Sequence, residues 1–143
     1  MKDSAASASI RHVDIVVGSI EVSLKFYREL LGPLGWTAEN TIKGENGEPL
    51  TYLAGPGGFA EGAIGIRERQ SAARGAPYDR YDVGLHHVAI NAPTRDHVDS
   101  CADWLKSSGY EIEAGPAEFY NDRYYAVFFY DPDGMKLEIV CGA

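Results

Sequence analysis

Three side chains of this sequence are of the types that grip a divalent metal ion, and two of them sit at equivalent places in a repeat. Residues 12–17 read His-Val-Asp-Ile-Val-Val, and residues 87–92 read His-Val-Ala-Ile-Asn-Ala, 75 positions later. The third, Glu138, stands in the apolar run Met135–Val140, where an unpaired carboxylate is costly to bury and a cationic partner is favoured. Two neutral imidazoles and one carboxylate form the ligand set of a facial triad with open positions, suited to Fe(II), Mn(II), Zn(II) or Ni(II). A metal held that way acts as a Lewis acid on a substrate oxygen, or binds O2 if it is iron. Thiolate is missing from the set, which disfavours a structural zinc site. Taken singly, a strand histidine is usually a hydrogen-bonded core or surface residue. The recurrence of His12 as His87 shifts that reading toward a paired site between two half-domains. His86 is read as pointing to the helix side, and His97 as helix surface.

The elements that must position these residues repeat in the same order. The first strand spans 10–17 and is rich in β-branched residues. Ser19 is a good N-cap, and the helix from Ile20 to Leu31 carries Ile20, Leu24, Tyr27 and Leu31 on one stripe before Gly32-Pro33 stops it. Strands are expected at 36–40, 50–54 and 63–68, the last two joined by a glycine-rich turn. Residues 69–84 form a connector whose arginines are diluted by acidic residues. The second half gives a strand at 85–91, a helix after Thr94 with Val98, Cys101, Ala102 and Leu105 inward, and strands at 110–114, 124–130 and 135–140. The chain is thus α+β, with each half ordered β-α-β-β-β.

Period-2 alternation decides which face each strand residue takes. Val13, Ile15 and Val17 lie under a helix, so His12 and Asp14 point the other way. Val88 and Ile90 do the same for His87 and Asn91. Leu137 and Ile139 leave Glu138 on the helix-free side, with Gly65 and Arg67 on that side of the fourth strand. A three-residue hairpin loop with Gly134 in the left-handed conformation sets Asp131 opposite Met135 and Phe128 opposite Glu138. Cross-strand partners share a face, which adds Tyr124 and Phe128 to it. On that surface, Arg67 is placed to neutralise a substrate carboxylate, Tyr124 to donate a hydrogen bond or proton, and Asp14 to act as base or support. Phe128 and Tyr52 would supply apolar wall, with Asn91 beside the substrate.

Composition sets the outer bounds. A length of 143 residues, 45% hydrophobic and 24% charged, fits one ordinary globular domain with its own core. The net charge of −8 argues against nucleic acid or an anionic membrane as partner. No apolar stretch approaches the roughly 20 residues that span a bilayer. Residues 1–9 read as a frayed, disordered tail without the apolar core of a secretory signal. Cys101 and Cys141 show no metal or redox spacing and read as plain thiols. These features together point to a cytoplasmic location.

The motifs, in their order, resemble the vicinal oxygen chelate superfamily, which includes glyoxalase I, extradiol dioxygenases, fosfomycin thiol transferases, methylmalonyl-CoA epimerase and bleomycin-resistance proteins. The resemblance covers about residues 10–141. It rests on the His12 repeat followed by Ser23-Leu-Lys-Phe-Tyr-Arg-Glu-Leu-Leu-Gly32, on His87-Val-Ala-Ile, and on Phe129-Tyr-Asp-Pro-Asp-Gly-Met-Lys-Leu-Glu138. It implies two βαβββ modules (10–68 and 85–141) forming an incomplete barrel around a cleft, with His12, His87 and Glu138 on metal-ligand positions. It also implies a fourth ligand on the fourth strand. Matching Leu137-Glu138-Ile139 to Ile64-Gly65-Ile66 puts Gly65 there, and matching from the glycine turn puts Gly62 there. Neither ligates through a side chain, and Glu61 and Glu68 lie nearby. The activity implied is that of a divalent-metal-dependent enzyme acting on a small oxygenated substrate that chelates the metal. The alternative is a metal-free protein that sequesters a drug or toxin. The modules are compatible with a cleft closed inside one chain or with exchange into a homodimer, and the sequence leaves both open.

Overall fold

In a computed structural model, which describes residues 7–71, 75 and 77–142, the first module holds β1 (His12–Val17), α1 (Ile20–Leu31), β2 (Ala38–Lys43), β3 (Pro49–Ala54) and β4 (Ala63–Glu68). The second holds β5 (Val88–Asn91), α2 (Arg95–Ser107), β6 (Ile112–Glu118), β7 (Tyr124–Tyr130) and β8 (Lys136–Gly142). Each module is βαβββ, and each sheet runs in the same order: β1-β4-β3-β2 in the first and β5-β8-β7-β6 in the second. In both, the first strand pairs parallel with the last. Of the tail expected at 1–9, residues 1–6 lie outside the described residues. Residues 7–9 are exposed and carry no regular structure.

The helices start where the caps are. The Ser19 hydroxyl accepts from the Val22 backbone N–H at 3.4 Å, and that of Thr94 from His97 N–H at 3.3 Å, each satisfying a donor that the first turn leaves open. The buried face of α1 is wider than the expected stripe. Ser23, Phe26 and Leu30 are buried with Leu24, Tyr27 and Leu31. The reason is that α1 packs on two sides. Phe26, fully buried, meets Tyr110, Trp104 and Phe129 of the second module with ring centroids 4.8, 5.7 and 6.4 Å apart.

Several strands begin later than their sequence suggests, β1 at His12 instead of residue 10 and β8 at Lys136 instead of 135 among them. Trp36 and Tyr110 are spent on closing the preceding helices, their N–H groups donating to Leu31 and Leu105 carbonyls, so β2 and β6 start two residues further on. The shift at β5 leaves His86 and His87 just ahead of the strand, not within it.

The helix sides of both sheets feed one apolar core. Ile15, Val17, Leu53, Ile64 and Ile66 of the first sheet join Ile90, Val127, Phe129, Leu137 and Ile139 of the second. The sheets stay open around a cleft. A groove of about 370 Å³ runs between β1 and β5, with His12 and Val13 on one wall and Val88 to Asn91 on the other. Within the bounds of the observed strands β1, β4, β5, β7 and β8, the alternation read from sequence holds. Phe128 pairs with Glu138, and Asp131 N–H donates to the Met135 carbonyl across the hairpin. Gly134 adopts φ 84°, the left-handed conformation that a three-residue loop requires there.

Candidate functional site

On the second sheet, Glu138 is 2% exposed because its strand is paired on both sides, with β5 and β7, and Tyr124, Phe128 and His87 close over it. Its two oxygens have different partners. Oε2 stands 3.2 Å from His87 Nε2, and Oε1 accepts the Tyr124 hydroxyl. Burial, with the Glu138 hydrogen bond second, pushes the Tyr124 phenol up to about 12, so it keeps its proton at neutral pH. Phe128 forms the wall, its ring 6.5 Å from His87 and 5.1 Å from Phe119, with the Lys136 ammonium 4.8 Å above it. That cation is already paired with Glu113 at 2.8 Å.

On the first sheet, Asp14 plays a comparable part. Its Oδ1 lies 3.8 Å from His12 Nε2, and its Oδ2 accepts from the Tyr52 hydroxyl and from Arg67 Nη2, both at 3.2 Å. Tyr52 also sets its ring edge-on to His12 at 5.1 Å. Arg67 makes further ion pairs with Glu45 at 2.7 Å and Glu48 at 3.4 Å. The hydrogen bond that it donates to Glu45, ahead of the other carboxylates, holds its guanidinium above the ordinary arginine value. Three carboxylates therefore surround the group read as a substrate anchor. Asn91 is exposed and lines the groove across from His12.

The site residues thus gather in two sets. His87, Glu138, Tyr124 and Phe128 meet on the second sheet, and His12, Asp14, Tyr52 and Arg67 on the first. The structure does not bring His12 to His87 and Glu138 within one chain. Among the described residues, no group of three or more His, Cys, Asp or Glu side chains is placed to hold a metal ion. His12 and Asn91 face one another across the groove between β1 and β5, while His87 and Glu138 meet away from it, beside Tyr124.

The second set still fits half of a metal site. Two donor atoms held about 2.0–2.2 Å from one ion stand roughly 3–3.5 Å apart, and His87 Nε2 and Glu138 Oε2 are separated by 3.2 Å. An imidazole and a carboxylate are also the right donors for the metals named above.

His86 departs from its sequence reading. It is exposed, not turned to the helix side, and its Nδ1 stands 2.8 Å from His87 Nδ1. Strand alternation does not apply to it because β5 begins at Val88. A hydrogen bond to Nδ1 fixes a histidine ring and leaves Nε2 to its other partner. The adjacent His-His pair was the only sequence signal for this. Glu45 and Glu48 lie between β2 and β3, in a segment where no site residue was expected.

Comparison with known proteins agrees with the duplicated architecture. The chain is 27% identical over 145 residues to the uncharacterized protein YqjT of Bacillus subtilis, covering 92% of this chain and 97% of that one. It is 29% identical over 140 residues to a probable lactoylglutathione lyase of Vibrio parahaemolyticus, covering 94% and 91%. Among solved structures, a putative glyoxalase from Bacillus halodurans superposes with a TM-score of 0.70 at 27% identity, covering 92% of this chain and 93% of that one. A glyoxylase/bleomycin resistance protein/dioxygenase domain from Frankia reaches 0.77 at 18% identity, covering 96% and 100%, a likeness of fold alone. The model of the Glyoxalase/Bleomycin resistance protein/Dioxygenase superfamily matches residues 9–139, nearly the whole of both modules, and the chain belongs to that superfamily.

Proposed function

We propose that this protein is a divalent-metal-dependent enzyme acting on a small substrate with two neighbouring oxygens, its metal held by His12, His87 and Glu138. The observation that carries the reading is the Glu138 carboxylate. It is sealed from water, and its partners among the described residues are an imidazole and a phenol, neither of them a fixed cation. A buried carboxylate in that state is costly unless positive charge reaches it.

Because a single chain supplies only half of the donor set at each sheet, the reading includes a homodimer in which the first-sheet face of one copy meets the second-sheet face of another. The exposure of His12 and Asp14, and of Val16 at 59%, on the helix-free side of an edge strand supports that contact. Fe, Mn, Zn and Ni all suit the donors. The bound ion would supply positive charge to the substrate oxygens.

The chain's own residues do the rest. Tyr124 keeps its proton and donates a hydrogen bond to Glu138, fixing the direction of the carboxylate. His86 steadies the His87 ring. Phe128 presents an apolar wall, and Asn91 offers an amide at the groove. Arg67 and Tyr52 hold Asp14 in place beside His12, where it is positioned as a base or as support for that imidazole.

Subunit mixing tests this reading. His12→Ala and His87→Ala proteins each lack one donor at every site, whereas a hybrid dimer of the two regains one complete site. Metal uptake and turnover on a panel of dicarbonyl–thiol adducts and catechols are expected to return on mixing. Uptake by neither parent nor hybrid, alongside tight metal-free binding of a panel compound, would instead make the chain a binding protein of the resistance type.

A further inference from the structure

The pairing register fixes which residues of the two modules correspond. Asp14 and Ala89 are equivalent through the His12/His87 repeat. Asp14 pairs with Gly65, and Ala89 pairs with Glu138. Gly65 is therefore the first-module counterpart of Glu138, and the two modules carry the same pair of residue types with the strands exchanged. In the second module the small residue is on the first strand and the carboxylate on the last. In the first module the carboxylate is on the first strand and the small residue on the last.

The space follows the exchange. A Cβ built on Gly65 would fall on the Asp14 carboxylate and come within 2.7 Å of Tyr52 Cε1. Asp14 thus fills the volume in which a carboxylate side chain at position 65 would begin. The bonding also matches. Each carboxylate gives one oxygen to a tyrosine hydroxyl and turns the other to the Nε2 atom of its own module's histidine: Glu138 to Tyr124 and His87, Asp14 to Tyr52 and His12. The separation from Nε2 is somewhat wider in the first module, 3.8 Å against 3.2 Å.

We infer that Asp14 is a fourth protein ligand of the metal, reaching from β1 into the place where β4 carries only Gly65. This rests on the reading given under Proposed function. It makes the two half-sites chemically alike, one imidazole nitrogen and one carboxylate oxygen each. It also gives Arg67 and Tyr52 a shared purpose as positioning residues, since both hold Oδ2 and leave Oδ1 on the His12 side.

The test moves the carboxylate from one strand to the other. Wild type, Asp14→Ala, Tyr52→Phe and the double variant Asp14→Ala/Gly65→Glu are titrated with Zn(II) by calorimetry and with Co(II) by its visible absorption. Circular dichroism and thermal melting of the metal-free proteins confirm folding. Gly65 lacks a left-handed φ, and Phe128 already coexists with Glu138 at the matching pair, so a glutamate at 65 has a precedent in the second module. Asp14→Ala is expected to weaken binding at least about tenfold and to change the Co(II) spectrum. The double variant is expected to recover most of both, and Tyr52→Phe to retain the wild-type spectrum. Should Asp14→Ala match wild type in affinity and spectrum, or should the relocated carboxylate recover nothing, Asp14 is no ligand, while a metal-binding wild type leaves the three-ligand reading standing. A wild type that binds neither ion overturns both.

Discussion

The phenol of Tyr27, on α1, donates to the carboxylate of Asp131, in the hairpin loop of the other module, at 2.7 Å. Both are buried. Asp131 also accepts from the backbone N–H groups of Asp133 and Met135, so one carboxylate shapes the hairpin that carries Glu138 and ties it to the first module. Burial raises Asp131 above the ordinary carboxyl range, and the Tyr27 hydrogen bond opposes that rise.

Tyr27→Phe is therefore expected to destabilise the fold by about 1–3 kcal/mol at neutral pH, the usual cost of taking one donor from a buried charged acceptor. The sign with pH follows from linkage. Losing the donor raises the folded-state value of Asp131 further, so the variant's deficit is full where Asp131 is ionised and shrinks as the pH falls through that value. Urea unfolding of both proteins at neutral and mildly acidic pH measures this, and a deficit that grows on acidification would rule the account out.

Tyr124 gives an alkaline counterpart. Its phenol is held up to about 12, chiefly by burial and then by Glu138. An acid whose folded value lies above the unfolded one contributes stability that is present below the unfolded value, about 10, and is lost as the pH rises through the folded value. The phenolate difference spectrum between wild type and Tyr124→Phe should show one group ionising near 12. The variant should also lose less stability above pH ~10 than wild type does. A difference spectrum with its midpoint at the ordinary phenol value would mean that Tyr124 is not sealed against Glu138.

Much of this was legible beforehand, and the exceptions have physical causes. Alternation assigned Glu138, Phe128, Tyr124, Asp14 and Arg67 to the correct faces because the opposite side of their strands feeds the shared apolar core. The hairpin register was readable because Gly134 pins the loop. What one sequence cannot specify is how the modules dock. Phe26 is an unremarked helix residue until it is seen against Trp104 and Phe129 of the other module. Alternation fails at His86 because β5 begins only at Val88. The exchange between Asp14 and Glu138 required the pairing register, since their strands differ and their spacing from the two histidines is unrelated.

Glu138→Gln separates stability from metal binding. The amide retains an acceptor for the Tyr124 hydroxyl and a donor for His87 but removes the buried charge. Neutral replacement of a buried charge is often harmless or stabilising in the absence of its cation. The metal-free variant is expected to unfold at equal or higher urea concentration than metal-free wild type, by up to about 2 kcal/mol, and to lose metal affinity by at least about tenfold. A clear loss of metal-free stability would show that the carboxylate is held by the fold itself and not in readiness for an ion.

The most direct measurement is elemental analysis of the protein purified without chelators, and again after loading with Fe(II), Mn(II), Zn(II) and Ni(II), beside His12→Ala treated identically. The expected result is about one ion per chain in wild type and a marked loss in the variant. Wild type that takes up none of the four ions at stoichiometric level, under any loading condition, contradicts a metal centre built from His12, His87 and Glu138.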